Sequence, residues 1–302
     1  MSPEPNAASV STNGAPAVLP MRRLHALWFQ VTGLLCNLQC THCLVDSSPG
    51  NDSLEFLDPG TVRRALAEAE SLGVKEVYFT GGEPFLHRQL LTMLADALAV
   101  APTTVLTNGT LVTERLAAGL AELAGRARYS LEIRVSLDHP DPARNDSVRG
   151  AGAHFKALRA VVRLDRAGLA PIVTATEYLL APRRAGEGGS TYDAFLACLG
   201  EAGIRRPRLK ILPVFHTGKL EDPTRGGAIT EAMLRGIDAS SLQCSESRVV
   251  AADGVYACPI LVGKPSARIA PGTALTGGLG PVELAHHACR TCYETGMTCG
   301  NY

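Results

Sequence analysis

The chain has 302 residues, 46% of them hydrophobic, enough for one large α/β domain and an appendage. Its 29 Lys plus Arg balance 29 Asp plus Glu, which excludes the electrostatic footprint of a nucleic-acid or anionic-membrane partner, so any substrate is held locally in a pocket. Residues 1–20 are rich in Ser, Pro, Ala and Asn but lack the basic start and apolar core of a signal peptide, and no apolar run could span a bilayer. They predict a flexible N-terminal segment on a cytoplasmic protein. Thiols stay reduced in that compartment, so nine cysteines in two groups predict metal binding rather than disulfides.

Short β-rich runs then alternate with longer helical patterns, the sign of βα units around a parallel sheet. Strands are predicted near 26–32, 75–80, 103–107, 130–138, 171–178 and 207–214, with helices near 58–72, 87–100, 112–124, 153–168 and 190–202. Asp58-Pro59 reads as a helix start, Asp as cap and Pro at the first helical position, and Gly73 as a stop. Six such units fit a partial, open barrel over residues 21–215 better than a closed eight-stranded one. In the fourth strand Leu131, Ile133, Val135 and Leu137 alternate with Glu132, Arg134, Ser136 and Asp138. A period of two puts these sets on opposite faces, so if helices cover the apolar face the polar row lines the lumen. Arg208 and Lys210 share a face of the sixth strand in the same way.

Three cysteines lie on one short stretch just after the first strand, Cys36, Cys40 and Cys43, and Gly81-Gly82-Glu83-Pro84 follows the second. Three thiolates can hold three corners of an iron–sulfur cubane and leave the fourth iron open for chemistry. Taken alone, the triplet also fits a zinc site lacking one ligand. Glycines at 81 and 82 allow a close backbone approach, and Glu83 can accept from an ammonium group.

After residue 215 the long helical patterns give way to Gly, Pro and Thr-rich segments carrying Cys244, Cys258, Cys289, Cys292 and Cys299. Between the first two, residues 251–256 read as a hairpin with an Asp253-Gly254 turn. Residues 216–302 therefore predict a small cysteine-rich domain with little apolar core of its own, held together by metal. Four of its thiols could hold a structural zinc instead of a cluster. His286 and His287 adjoin the last pair without being assigned as ligands, and Cys198, in an apolar helix, reads as a core residue.

Together these motifs resemble the radical S-adenosylmethionine (radical SAM) superfamily over about residues 26–215. The resemblance implies a partial (β/α)6 barrel in which Cys36, Cys40 and Cys43 hold a [4Fe-4S] cluster whose fourth iron is chelated by S-adenosylmethionine. It also implies that Gly81, Gly82, Glu83 and Pro84 receive the methionine amino group, that Thr107 and Asn108 border the cofactor, and that Ser136 and Asp138 contact its ribose. Arg149 would pair with the cofactor carboxylate, its alternative being a solvent-facing charge at a helix start. His42 stands where the family commonly has an aromatic residue near the adenine, or caps the loop.

The late cysteines resemble the auxiliary-cluster domains of the same enzymes, the SPASM type and its shortened twitch form. Five thiols are too few for two extra clusters and imply one auxiliary [4Fe-4S] cluster, most simply on Cys244, Cys258, Cys289 and Cys292. Cys299 would replace one of these or stay a free thiol. The implied activity is reductive cleavage of S-adenosylmethionine and hydrogen abstraction from a small-molecule or peptide substrate, for oxidation or bond formation in natural-product or peptide maturation. Arg208, Lys210 and Glu177 are the candidate catalytic or substrate-contacting residues, and flavodoxin or ferredoxin the kind of electron donor implied. Residues 1–20 are too short to fold as the leader-binding domain of many peptide-modifying relatives, which favours a small molecule or a partner-delivered peptide. The competing reading is a non-catalytic iron–sulfur or zinc scaffold for electron transfer or partner binding.

Overall fold

The computed structural model describes residues 14–180, 190–222, 227–296 and 299–300. Its strands are β1 (Val18–Leu19), β2 (Ala26–Gln30), β3 (Glu76–Thr80), β4 (Thr103–Thr107), β5 (Leu131–Ser136), β6 (Ile172–Thr176), β7 (Arg208–Leu212), β8 (Ser247–Ala251), β9 (Gly254–Tyr256), β10 (Arg268–Pro271) and β11 (Val282–Glu283). The helices are α1 (Pro59–Ser71), α2 (Leu90–Val100), α3 (Glu114–Arg126), α4 (Pro142–Arg149), α5 (Ala153–Arg166), α6 (Thr191–Glu201), α7 (Glu231–Leu234) and α8 (His287–Thr295). Among the described residues no helix is long and apolar enough to cross a membrane.

β2 to β7 are the six expected strands. They lie side by side in chain order with every pairing parallel. Helices start where the sequence places a cap: the Asp58 carboxylate accepts from the Thr61 N–H at 3.0 Å ahead of Pro59, and Gly73 leaves α1 with φ +76°. On β5, Ile133 and Val135 join Leu120, Leu164 and Phe195 in one apolar cluster between the sheet and the helices. Each large aliphatic side chain fully buried there stabilises the fold by roughly 1.5–3 kcal/mol. The other β5 face, with Glu132, Arg134 and Ser136, looks into the barrel as the alternation requires.

The lumen is drier than a polar row suggests. Trp28 and Tyr78, register partners on β2 and β3, stack with ring centroids 4.0 Å apart, and the Arg134 guanidinium lies 5.7 Å from the Tyr78 centroid. They pack in a second apolar cluster that also contains Phe215, Tyr256 and Cys299.

The segment after residue 215 is joined to the barrel sheet. β8 pairs parallel with β2, and β9 and β10 follow antiparallel, giving the order β10-β9-β8-β2-β3-β4-β5-β6-β7. The hairpin turn falls on Ala252-Asp253 rather than Asp253-Gly254. Gly254 already belongs to β9, where a Cβ would meet the Ala270 carbonyl oxygen at 2.5 Å. The segment also shares an apolar cluster with the chain start: Ala17 and Leu19 pack with Ile229, Met233 and Leu242, and β1 pairs antiparallel with β11. The expected flexible segment 1–20 thus ends in a fixed strand, too short to show a period, while residues 1–13 lie outside the described residues.

Candidate active site

The cysteine loop and the Gly-Gly turn fold onto each other. Gly82 N–H donates to the Gly33 carbonyl at 3.0 Å and Glu83 N–H to the Leu35 carbonyl at 3.1 Å. A Cβ on Gly81 would come within 2.1 Å of Thr32 Oγ1, and one on Gly82 within 2.0 Å of the Leu35 carbonyl oxygen. Neither glycine is explained by a left-handed backbone. They are glycines because the turn seats directly on the loop that carries Cys36.

Cys36, Cys40 and Cys43 line one cleft with Gly81, Gly82 and Arg149. Its strand-borne wall takes in the last residues Thr80 of β3, Thr107 of β4, Ser136 of β5, Thr176 of β6 and Leu212 of β7, with Leu106 and Thr174 one and two positions earlier on β4 and β6. This is the C-terminal edge of the parallel sheet, where α/β folds place ligands. Leu38 N–H points at Cys36 Sγ at 3.4 Å, Ser47 N–H at Cys43 Sγ at 3.2 Å, and Asn108 Nδ2 at Cys36 Sγ at 3.6 Å. Donors already aimed at sulfur suit thiolate ligands. Without a bound cation, burial pushes the Cys36 thiol up to about 11 and raises Cys40 as well; a metal cation would reverse that.

Two expected cofactor contacts prove to be supports. Glu83 is fully buried, its Oε1 accepting from Thr107 Oγ1 at 2.7 Å and Phe85 N–H at 3.1 Å, its Oε2 from Asn108 N–H at 2.8 Å. It ties the turn to the end of β4 and does not face the cleft; Pro84 behind it, also buried, begins a 3₁₀ turn. Burial pushes the Glu83 carboxyl up to about 7 despite the three donors. Asp138 is likewise fully buried. Its Oδ1 accepts from Thr176 N–H at 3.0 Å and Thr176 Oγ1 at 3.1 Å, while Oδ2 meets His42 Nε2 at 2.8 Å and Arg149 Nε at 2.5 Å. Burial alone would raise its pKa, but the Arg149 charge and His42 hold it well below the usual carboxylate range. It does not line the cleft; it holds Arg149 and His42.

Arg149 itself faces the cleft. It is the last residue of α4, not a charge at a helix start, and its side chain is 12% exposed. The positive charge at the helix C-terminus suits the dipole. His42 stacks on Tyr178 with centroids 5.5 Å apart, and its Nδ1 is buried without a partner among the described residues. The Tyr178 stack and the His42–Asp138 bond are not legible in the sequence, because they join residues more than 90 positions apart.

The three candidate catalytic residues are not gathered at this cleft. Arg208 opens β7 at its N-terminal end, where Nη2 binds Glu132 Oε2 at 2.8 Å and Nη1 the Ala170 carbonyl at 2.9 Å. Alternation gave its face but not its height along the strand. Lys210 Nζ donates to the Gly300 carbonyl, and Arg134 Nη1 to the Cys299 carbonyl at 2.8 Å, so the late chain occupies the lumen where a substrate contact was expected. Burial and the nearby Arg134 charge push Lys210 down to about 8. Glu177, just past β6, is exposed on an outer opening beside Arg144 and Tyr178.

Cys244, Cys258, Cys289 and Cys292 line a second, mainly apolar cavity. Cys289 and Cys292 stand three apart on α8 and so share a face. Burial pushes Cys244 up to about 12 and Cys289 to about 11, and holds Cys258 and Cys292 well above their ordinary value. Among the described residues no three His, Cys, Asp or Glu side chains gather as they would around a single metal ion; the four thiols share the lining of one cavity. Cys299 is absent from that lining, yet it packs beside Cys258 and Cys292, and its charge is the leading one raising both thiols.

The model of the radical SAM superfamily matches residues 31–187, more than half of the chain. The chain belongs to the radical SAM superfamily. Membership makes it an enzyme that uses a [4Fe-4S] cluster and S-adenosylmethionine, and the cleft's three thiols and Arg149 fit both. It is 30% identical over 165 residues to GTP 3',8-cyclase of Tolumonas auensis, covering 52% of this chain and 46% of that one. With the mycofactocin maturase MftC of Mycolicibacterium smegmatis it shares 34% over 134 residues, 44% of this chain and 32% of the relative. The chain thus spans less than half the length of either relative. The fold of anSMEcpe with bound AdoMet superposes with a TM-score of 0.60 at 18% identity, over 90% of this chain and 78% of that one. The late segment therefore shares in the likeness of fold.

Proposed function

We propose that this enzyme cleaves S-adenosylmethionine reductively and abstracts hydrogen from a small-molecule or peptide substrate, leading to oxidation or bond formation in natural-product or peptide maturation. The observation that carries this reading is the single cleft in which Cys36, Cys40 and Cys43 meet Gly81, Gly82 and Arg149 at the strand ends. When bound, the cluster and cofactor supply an electron and a 5′-deoxyadenosyl radical, chemistry no side chain offers. The chain's own part is to hold and aim. Cys36, Cys40 and Cys43 are the proposed iron ligands; the Gly81-Gly82 backbone takes the methionine ammonium, and Arg149 the carboxylate, a planar anion suited to a guanidinium. Thr107, Asn108 and Ser136 border the nucleoside from the ends of β4 and β5. Glu83 and Asp138 fix these groups from behind.

The auxiliary [4Fe-4S] cluster is proposed on Cys244, Cys258, Cys289 and Cys292, supported by their sharing one cavity. Glu177, at the outer opening, is the remaining candidate for a substrate contact. The similar proteins point to different substrates: MftC is named a maturase, and one solved anSMEcpe, TM-score 0.57 at 14% identity, carries a bound peptide, whereas another relative is named a GTP cyclase. A flavodoxin or ferredoxin is the proposed donor. A scaffold protein would have no use for Arg149 buried against its own carboxylate at the cleft. The test is anaerobic reconstitution: about eight irons per chain and negligible zinc are expected, roughly four remaining after Cys36, Cys40 and Cys43 are changed to Ala. Iron near four with stoichiometric zinc in the parent would remove the auxiliary cluster from the account.

A further inference from the structure

Gln243 is a buried amide that the reading above leaves without a task. It is 4% exposed and stands on the wall of the cavity lined by Cys244, Cys258, Cys289 and Cys292. One end is fixed: Cys299 N–H donates to Oε1 at 2.9 Å, which makes the other end the NH₂ group. Nε2 is buried and has no hydrogen-bond partner among the described residues. Leaving such a donor unsatisfied costs about 1–3 kcal/mol, so the position calls for an acceptor that the described residues do not supply. In a cavity lined by four thiols, sulfur is the acceptor at hand.

We infer that Gln243 donates a hydrogen bond to a sulfur, thiolate or sulfide, of the auxiliary cluster and raises its reduction potential. The inference rests on the proposed auxiliary cluster. A donor to cluster sulfur favours the reduced, more negative state, one of the levers by which proteins set such potentials. The amide is also tied to the barrel. The Cys299 carbonyl accepts from Arg134 Nη1, and the next carbonyl, Gly300, from Lys210 Nζ, so hydrogen bonds run from cations on β5 and β7 through residues 299–300 to Gln243. Cys299 acts here through its backbone, as a positioning residue.

The test is a redox titration, followed by electron paramagnetic resonance, of the anaerobically loaded full chain and two variants. Gln243→Glu keeps an oxygen for Cys299 N–H but loses the NH₂ donor, and Gln243→Leu loses both. At the parent's midpoint the reduced-to-oxidised ratio of the auxiliary cluster is expected to fall about tenfold in each, ~59 mV for a one-electron couple, with the first cluster unmoved as internal reference. In the parent, labelling glutamine amide nitrogen is expected to reveal a nitrogen coupling to the reduced auxiliary cluster, which also decides the matter if a variant loses that cluster. Eight irons with ratios within twofold of the parent, or a parent without the coupling, would overturn the inference alone. Four irons in the parent would overturn the auxiliary cluster and this inference with it.

Discussion

Asp138 is the residue on which the cleft's charge geometry turns. One carboxylate holds Arg149 and His42 on one oxygen and the end of β6 on the other. Asp138→Asn would leave Arg149 buried without its counter-charge, a change that costs about 3–5 kcal/mol when a buried pair is broken. S-adenosylmethionine binding by the cluster-loaded variant is expected to weaken at least about tenfold, some 1.4 kcal/mol, with first-cluster iron retained; unchanged binding would show that Arg149 needs no such hold. Glu83 gives the pH prediction. Its carboxyl lies near 4.5 in the unfolded chain and about 7 when folded, so the stability it contributes is full below about pH 4.5 and is lost as pH rises through about 7. Against Glu83→Gln, the parent is expected to lose about 3 kcal/mol between roughly pH 4 and pH 8, as chemical denaturation would measure. Asp138, with a depressed pKa, works the opposite way: its contribution stands above about pH 4 and disappears as pH falls below that. The cysteines and glycines of this site were legible because their spacing is itself the chemistry. That Glu83 and Asp138 turn inward was not, since a one-dimensional pattern does not say which donors already surround a carboxylate.

At the scale of elements, all six barrel strands and five helices were readable from hydrophobic period and caps. The miss was α4. Val148 is the one large apolar side chain it buries, so no stripe announces the helix. Its start was nonetheless written: Asp141 caps it, accepting from Arg144 N–H at 2.9 Å ahead of Pro142, the same signature that revealed α1. The glycines separate two kinds of constraint. Gly82→Ala would drive a Cβ into the Leu35 carbonyl, so iron at the first cluster is expected to drop together with thermal stability. Gly119→Ala, inside α3 with nothing nearer than Leu91 at 4.0 Å, is expected to stabilise by about 0.5–1 kcal/mol. Equal effects of the two substitutions would undo the close-packing explanation of the turn.

For the whole molecule, the late segment is built into the barrel through β8 beside β2 and through residues 299–300 in the lumen. These joints were hidden in the sequence because strand order and lumen filling arise from contacts between residues 90 to 221 positions apart. They leave the cofactor cleft on one set of strand ends and the four-cysteine cavity elsewhere. Changing Cys244 and Cys258 to Ala is therefore expected to remove one cluster and leave cofactor cleavage intact, provided thermal unfolding shows the barrel folded. Cys299→Ala, which keeps the backbone bonds to Gln243 and Arg134, is expected to retain both clusters; loss of the auxiliary iron would make Cys299 a ligand. The most direct measurement is 5′-deoxyadenosine formation from S-adenosylmethionine by the anaerobically loaded chain under a strong reductant. The parent should form it slowly without added substrate, and the variant with Cys36, Cys40 and Cys43 changed to Ala should form none. A parent with a confirmed first cluster that neither binds S-adenosylmethionine nor yields 5′-deoxyadenosine would contradict the assignment of the cleft.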